Sequence, residues 1–423
     1  MSRTLCVVLS VLLGVLVAEP AVYAQQLNPS PHVRLTRPRE WTLRVTVNLR
    51  AWEERDRRGM PVVSPFDFTE AAVVFPFLES SGSHHVNLSE LENGLPVGRV
   101  TFDDRLASTQ AQLKTGYPAG TRLAIWHLTE RRGREIQLNL DYPVVSHRVE
   151  FDEEAARGTP WPNEAWPSMA QSCFEPQMFV DFGPDPSNNG ELAPYDMEPV
   201  QRLVDQWTTR GRTRTQPPVV TAKWLAGKVV EHVQISGNGL NFNRIGQLEG
   251  VDLQGAPETA RRGRGTEFDM VCLLASVYRR ADIPTRIVIG FEGATEDDRD
   301  FLGRSGRKQL RAWVEFALYD ETARTLSWVP VDVVAMRRQR SRLASNFMER
   351  PLEFFGTNRD LERIIPFSFH FHPPTTVRAY GSPAFWGWFV VPEANARALQ
   401  AVRFESQRTP QRGAPPRGTD RGR

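Results

Sequence analysis

The sequence predicts an α+β chain, with an N-terminal antiparallel β-sandwich followed by a domain in which an apolar helix packs on a sheet. Three observations predict it. Between Trp41 and Leu140, short stretches alternate apolar and polar residues, the period of strands with one buried face. Val271, Cys272, Leu273, Leu274, Ala275, Val277 and Tyr278 are apolar around a whole helical circumference, so that helix must be enclosed on all sides. Residues 287–291, 310–318 and 325–334 then supply strands for a sheet against it.

Taken in order, residues 1–24 have the form of an export signal. Arg3 precedes an apolar run of roughly 14 residues, and small residues stand before Gln25. A run of that length is shorter than the ~18–20 residues that span a bilayer. Residues 25–40, Pro-rich and polar, read as a flexible linker. Residues 41–150 carry the sandwich. Leu43, Val45, Val47 and Leu49 fall on one face, and residues 71–75, 122–126 and 135–140 behave alike. Residues 151–198, rich in Pro and Trp, read as an irregular connector.

The second domain is assigned to residues 199–345. Its first helices lie near 199–207 and 221–235, the latter with Leu225, Val229 and Val233 on one face and Trp224 beside them. A Gly- and Asn-rich loop, 236–255, leads to the apolar helix, which starts with Thr266 and Asp269 in capping-box spacing. Residues 346–403 form an aromatic C-terminal extension, and residues 404–423 read as a disordered basic tail.

Composition narrows the function. A chain of 423 residues is too long for one core. A net charge of +2 points to neither nucleic acid nor a strongly acidic partner. Beyond the signal only Cys173 and Cys272 remain, so no disulfide scaffold is implied. Export makes the chain secreted or periplasmic, with no stable membrane span after signal removal.

The stretch Gly265-Thr266-Glu267-Phe268-Asp269, followed by an apolar run and Ile283-Pro284-Thr285-Arg286, resembles the nucleophile segment of the transglutaminase-like superfamily. That family has a papain-like fold and the pattern Gly-x-Cys-x-Asp, apolar helix, Ile-Pro-Ala-Arg. Residues 310–315 resemble its His-Ala-Trp-x-Glu strand, and residues 327–332 its Trp-x-Pro-x-Asp segment. The alignment puts Glu267 where the family has its cysteine and Arg311 where it has its histidine, while Asp332 keeps the aspartate.

The resemblance implies a transglutaminase-like α+β domain with a degenerate triad. A carboxylate is a poor nucleophile towards an amide, and a guanidinium cannot shuttle protons. Cys272, about 140° round the helix from position 267, is a poor substitute. A thiolate–imidazolium pair thus becomes a carboxylate–guanidinium pair. Alternation on residues 310–318 puts Arg311, Trp313 and Glu315 on one face; the resemblance implies that this face meets the helix and that Arg311 meets Glu267, with Asp332 on its other side. Asp269, Trp313 and Arg264 are the candidate binding residues. The expected role is binding or structural in the cell envelope, towards a protein, peptide or glycan, with no cofactor and no metal. The enzymatic alternative is a cysteine-independent hydrolase using Glu267 as general base.

Other features are weaker. His370 and His372 share one side of a strand, as some metal ligands do, but lack a third partner in the sequence nearby. His84 and His85 lie in a Ser/Gly loop, and Asn87, Leu88 and Ser89 match a glycosylation tripeptide. Basic clusters at Arg261, Arg262 and Arg264, at Arg304, Arg307 and Lys308, and at Arg337, Arg338, Arg340 and Arg342 bracket the motif. Their convergence would attract anions.

Overall fold

Two β-sheets and a helix-covered third sheet share a nearly continuous core in the computed structural model, which describes residues 30–86, 91, 95–115, 121–185, 191–208, 212–293, 310–339, 352–371, 386–392 and 398–408. The export signal, the glycosylation tripeptide, His372, Arg304, Arg307, Lys308, Arg340 and Arg342 lie outside the described residues.

The principal strands are β1 (Val33–Arg55), β2 (Phe66–Phe77), β3 (His84–Val86), β4 (Val97–Phe102), β5 (Arg122–Gly133), β6 (Glu135–Phe151), β7 (Leu240–Phe242), β8 (Leu248–Val251), β9 (Thr285–Glu292), β10 (Leu310–Asp320), β11 (Thr325–Val331), β12 (Ile364–Phe369), β13 (Gly387–Val391) and β14 (Ala398–Arg408). The principal helices are α1 (Glu198–Trp207), α2 (Pro218–His232), α3 (Ala256–Arg262), α4 (Glu267–Arg280) and α5 (Val333–Gln339).

One sheet runs β7-β8-β14-β1-β6-β4 and ends on the strand Arg105–Ser108; its partner runs β13-β2-β5 and ends on Gln112–Lys114. Leu43, Val45, Val47 and Leu49 are all buried, as the alternation requires. Phe68 meets Phe102 edge-on across the gap, and Phe66 meets Trp388 of the neighbouring strand edge-on within the second sheet, with ring centroids 5.7 and 6.2 Å apart.

Several expected boundaries differ. The strand β1 begins at Val33, inside the stretch read as a linker, because Val33 to Thr36 pair with Phe151 to Arg148 of β6. The loop 236–255 contains the hairpin β7–β8, which reaches the first sheet through Leu248 and Val402. The expected tail is strand up to Arg408, since β14 pairs with β1 from Ala51–Ala398 to Trp41–Arg408. Its Phe404 is buried, stacked on Phe291 and packed on Phe367. Charge-rich composition gave no sign of this, because the outward residues of β14 carry the polarity while Val402 and Phe404 point in.

The third sheet runs β11-β10-β9-β12. It binds tightly to the sandwich through Glu362, just before β12. That carboxylate is 2% exposed and accepts Arg148 in a fork and Arg39 at 2.7 Å. Burial works against its charge, but Arg148 and Arg39 outweigh this and hold it below the ordinary carboxylate range. Trp41 Nε1 donates to the Glu362 carbonyl at 3.1 Å, and Ser146 Oγ to that of Ile364 at 2.6 Å.

Candidate functional site

Helix α4 begins where the sequence places it. Thr266, in extended conformation, accepts the Asp269 N–H at 3.2 Å, and Asp269 Oδ2 accepts the Thr266 N–H at 2.9 Å, closing the capping box. Asp269 Oδ1 accepts the N–H groups of Gln254 and Gly255 at 2.9 and 3.1 Å. Burial raises its pKa, against the pull of these donors. Buried and fully engaged, Asp269 fastens the segment before α3 to the start of α4. That occupies it structurally and leaves it no face for a ligand.

Beyond the cap, residues from Phe268 to Tyr278 are buried without exception. The expected enclosed helix is therefore observed. Tyr278 meets Phe316 of β10 edge-on at 5.8 Å and donates its hydroxyl to the Ala222 carbonyl of α2 at 2.8 Å.

That contact fixes which face of β10 meets α4, and it is the reverse of the expected one. Leu310, Ala312, Val314, Phe316 and Leu318 share the core of α4. Trp313 packs on the other side with Leu78, Val149, Cys173, Val288, Leu361, Ile364 and Phe369. The apolar residues of the strand follow the apolar helix, and the charged residues are left to the second face. Trp313 is fully buried and cannot contact a ligand from there. Arg264 is exposed on the two-residue strand Arg264–Gly265, and its carbonyl accepts Gln254 Nε2 at 2.6 Å.

Glu267 and Arg311 consequently do not meet. Arg311 pairs with Asp332, and Asp360 lies 3.9 Å from its other amine. Burial opposes the charge of Arg311, but Asp332, Glu292 and Asp360 outweigh it and raise its pKa above the ordinary guanidinium value. Asp332 is 1% exposed, and its second oxygen accepts the Ala335 N–H at 2.9 Å, which caps α5. Glu267 instead pairs with Arg338 of α5, whose side chain is 48% exposed against 19% for Glu267. Position 338 belongs to a basic cluster visible in the sequence. Its choice of partner required the α4–α5 packing to be seen.

A third ion pair, within the motif segments themselves, had no place in the sequence reading. Arg286 donates through Nε and Nη2 to Glu315 Oε2 at 2.9 and 2.7 Å, both side chains being buried. The guanidinium lies between the rings of Trp328 and Phe369, 3.9 and 4.1 Å from their centroids. Glu315 Oε1 accepts the Gly82 N–H at 2.9 Å from the loop before β3. A Cβ at Gly82 would sit 2.8 Å from the Trp328 carbonyl and 2.9 Å from Glu315 Oε1, so this close approach requires glycine.

Cys173 and Cys272 are both buried. Burial pushes Cys272 well above the ordinary thiol range, with Asp269 adding to it, and pushes Cys173 up to about 12. His370 accepts the Ile287 N–H on Nδ1 at 3.3 Å and is buried at the sheet end. No group of three or more metal-type side chains is gathered among the described residues.

Residues 205–333 match the family model described as Transglutaminase-like superfamily. Among solved structures, the chain is similar to a candidate cysteine protease from Cytophaga hutchinsonii, at 10% identity and TM-score 0.49, covering 90% of this chain and 95% of that one. The periplasmic domain of TgpA from Pseudomonas aeruginosa follows at 14% identity and TM-score 0.28, covering 76% and 99%. A candidate protease from Parabacteroides distasonis gives 8% identity and TM-score 0.22, covering 70% and 59%. No curated protein matches.

Proposed function

We propose that this transglutaminase-like protein, with its family match over residues 205–333, is catalytically inactive and serves a binding or structural role after export to the cell envelope. The observation that carries the reading is the replacement of the catalytic pair by two separate ion pairs. Glu267 is held by Arg338, and Arg311 by Asp332. Acyl transfer needs a thiolate, and a base that gives and takes a proton at the same point. Glu267 supplies no thiol, the guanidinium of Arg311 stays charged, and the two side chains have different partners.

The remaining residues carry structural duties that favour the same conclusion. Asp332 caps α5 while neutralising Arg311, and Asp269 holds the backbone at residues 254–255 and 266. Use of Glu267 as a general base is disfavoured by the guanidinium lying on its carboxylate. Export rests on the N-terminal sequence, whose charged start, apolar run and small residues have the form of a signal.

The test is an amide-hydrolysis and amine-transfer assay on the purified chain with a glutamine-containing peptide, beside a thiol-directed probe. No turnover and no labelling of the folded protein are expected. Turnover lost on Glu267→Gln would overturn the reading in favour of general-base hydrolysis.

A further inference from the structure

The segment from Glu79 to Val86 crosses the junction between the sandwich and the third sheet, and is tied to both. The His147 N–H of β6 donates to the Ser83 carbonyl at 2.9 Å, and the Gly82 N–H donates to Glu315 of β10 at 2.9 Å. Arg122 of β5 pairs with Glu79 at 2.7 Å. Within the segment, the Ser81 and Val86 N–H groups donate to the His84 and Glu79 carbonyls at 2.9 and 2.8 Å. Pairing with β6 extends over only His84, His85 and Val86. So short a strand can open locally without the rest of the fold.

His84, at the centre of the segment, is fully buried. Its Nδ1 lies 2.6 Å from Ser81 Oγ, and its Nε2 is buried with no hydrogen-bond partner among the described residues. A neutral imidazole carries a proton on one nitrogen only and fits this arrangement. An imidazolium carries two, and its Nε2–H would be buried without an acceptor. The surrounding charges point the same way. Burial opposes a charged ring most, His85, Arg286 and His147 add to it, and only the Leu78 backbone favours it. Neighbouring carboxylates are already engaged, Glu315 by Arg286 and Gly82, and Glu79 by Arg122. On the opposite side of β3, His85 and His147 stand 5.2 Å apart, each with a buried Nδ1 that has no partner among the described residues. Protons taken up there act in the same sense.

We propose that residues 79–86 form an acid-operated strap, in which protonation of His84 releases the segment from Glu315 and β6 while α4 and its sheet remain folded. The docked strap excludes the proton, whereas the released strap takes it up near the ordinary value of 6.5. Release is therefore favoured as pH falls below that value. For one such histidine the release equilibrium grows on the order of thirtyfold between pH 7.5 and 5.0. Release uncovers the buried Arg286–Glu315 pair and the Trp328 carbonyl beside Gly82. The strap operates whether or not the α4 site is inert.

The experiment is amide hydrogen exchange by mass spectrometry on the full chain at pH 7.5 and 5.0, with each rate divided by the intrinsic rate at that pH. Protection of residues 81–86 is expected to fall on the order of thirtyfold at the lower pH, while residues 270–278 of α4 keep theirs. His84→Asn retains an amide near the Nδ1 position for Ser81 and does not titrate, so the folded variant is expected to lose this response. Equal protection of the strap at both pH values in the parent chain would overturn the proposal, whether or not the variant folds. So would loss of protection in the strap and α4 together, which is global acid unfolding, or a full response retained by folded His84→Asn.

Discussion

Replacing Glu315 by glutamine keeps the shape of the side chain and removes the charge that Arg286 requires. The parent carboxylate accepts three donors: Arg286 Nε at 2.9 Å, Arg286 Nη2 at 2.7 Å and Gly82 N at 2.9 Å. Glu315 is fully buried and Arg286 nearly so. The variant strands a guanidinium in that setting, for which the cost is about 3–5 kcal/mol. Contacts with Trp328 and Phe369 are common to parent and variant and do not offset this difference. A loss of about 3–5 kcal/mol is therefore expected in urea unfolding. Arg286→Met with Glu315→Leu is expected to regain part of it, limited by the Gly82 N–H left without its acceptor. Arg44→Gln is the control: its pair with Asp141 is half exposed on both sides and contributes less than about 1 kcal/mol. A Glu315→Gln protein within about 1 kcal/mol of the parent would refute the argument that this pair clamps the loop before β3 to the third sheet.

Further outcomes follow from the same geometry. Glu267→Gln is expected to cost less than about 1 kcal/mol, because its partner Arg338 is half exposed; a loss several times larger in urea unfolding would show a buried pair instead. Burial lowers the pKa of His84, His85 and His147, the last to about 4, and the rings of His85 and His147 lie 5.2 Å apart. Their unfolded forms bind protons first, so stability is full above about pH 6.5 and falls as pH drops towards 4. Thermal melting between pH 7.5 and 4.5 checks this, and a double His85→Phe, His147→Phe protein is expected to show a flatter profile. Iodoacetamide is expected to label Cys173 and Cys272 only after denaturation, read by intact mass; rapid labelling of the native chain would contradict their burial.

Much of the fold was legible in residue periodicity. Alternation found the sandwich strands, and the capping box with an all-round apolar run found α4. What periodicity could not supply was long-range pairing. The strand β14 looked like the start of a charged tail because only its inward residues, such as Val402 and Phe404, carry the signal. The sandwich is completed by β13 and β14 from the far end of the chain, a closure that no local pattern encodes.

At the site, positions 267 and 311 were singled out by the resemblance to the family's motifs, but their partners were not legible. Alternation on β10 divides its residues correctly into two sets without saying which set meets the helix. Both sets are buried, since Trp313 and Glu315 are covered by the sandwich side as fully as Val314 and Phe316 are by α4. With both faces enclosed, polarity no longer marks the outside, and the expected Glu267–Arg311 contact followed from the wrong choice. The pairs seen, Glu267 with Arg338 and Arg311 with Asp332, depend on how α5 folds back over α4.

The central claim is that positions 267 and 311 no longer form a working pair. The most direct measurement is transamidation of a glutamine-containing peptide by the Glu267→Cys, Arg311→His protein, assayed beside an active transglutaminase. A histidine at 311 would share the strand face of Trp313, with Asp332 as its neighbour, rather than the face that packs on α4. The account predicts a folded variant whose new thiol is labelled but whose turnover is indistinguishable from background. Robust turnover that disappears when either position reverts would contradict it, and would mean that the two side chains meet in a site kept fit for catalysis.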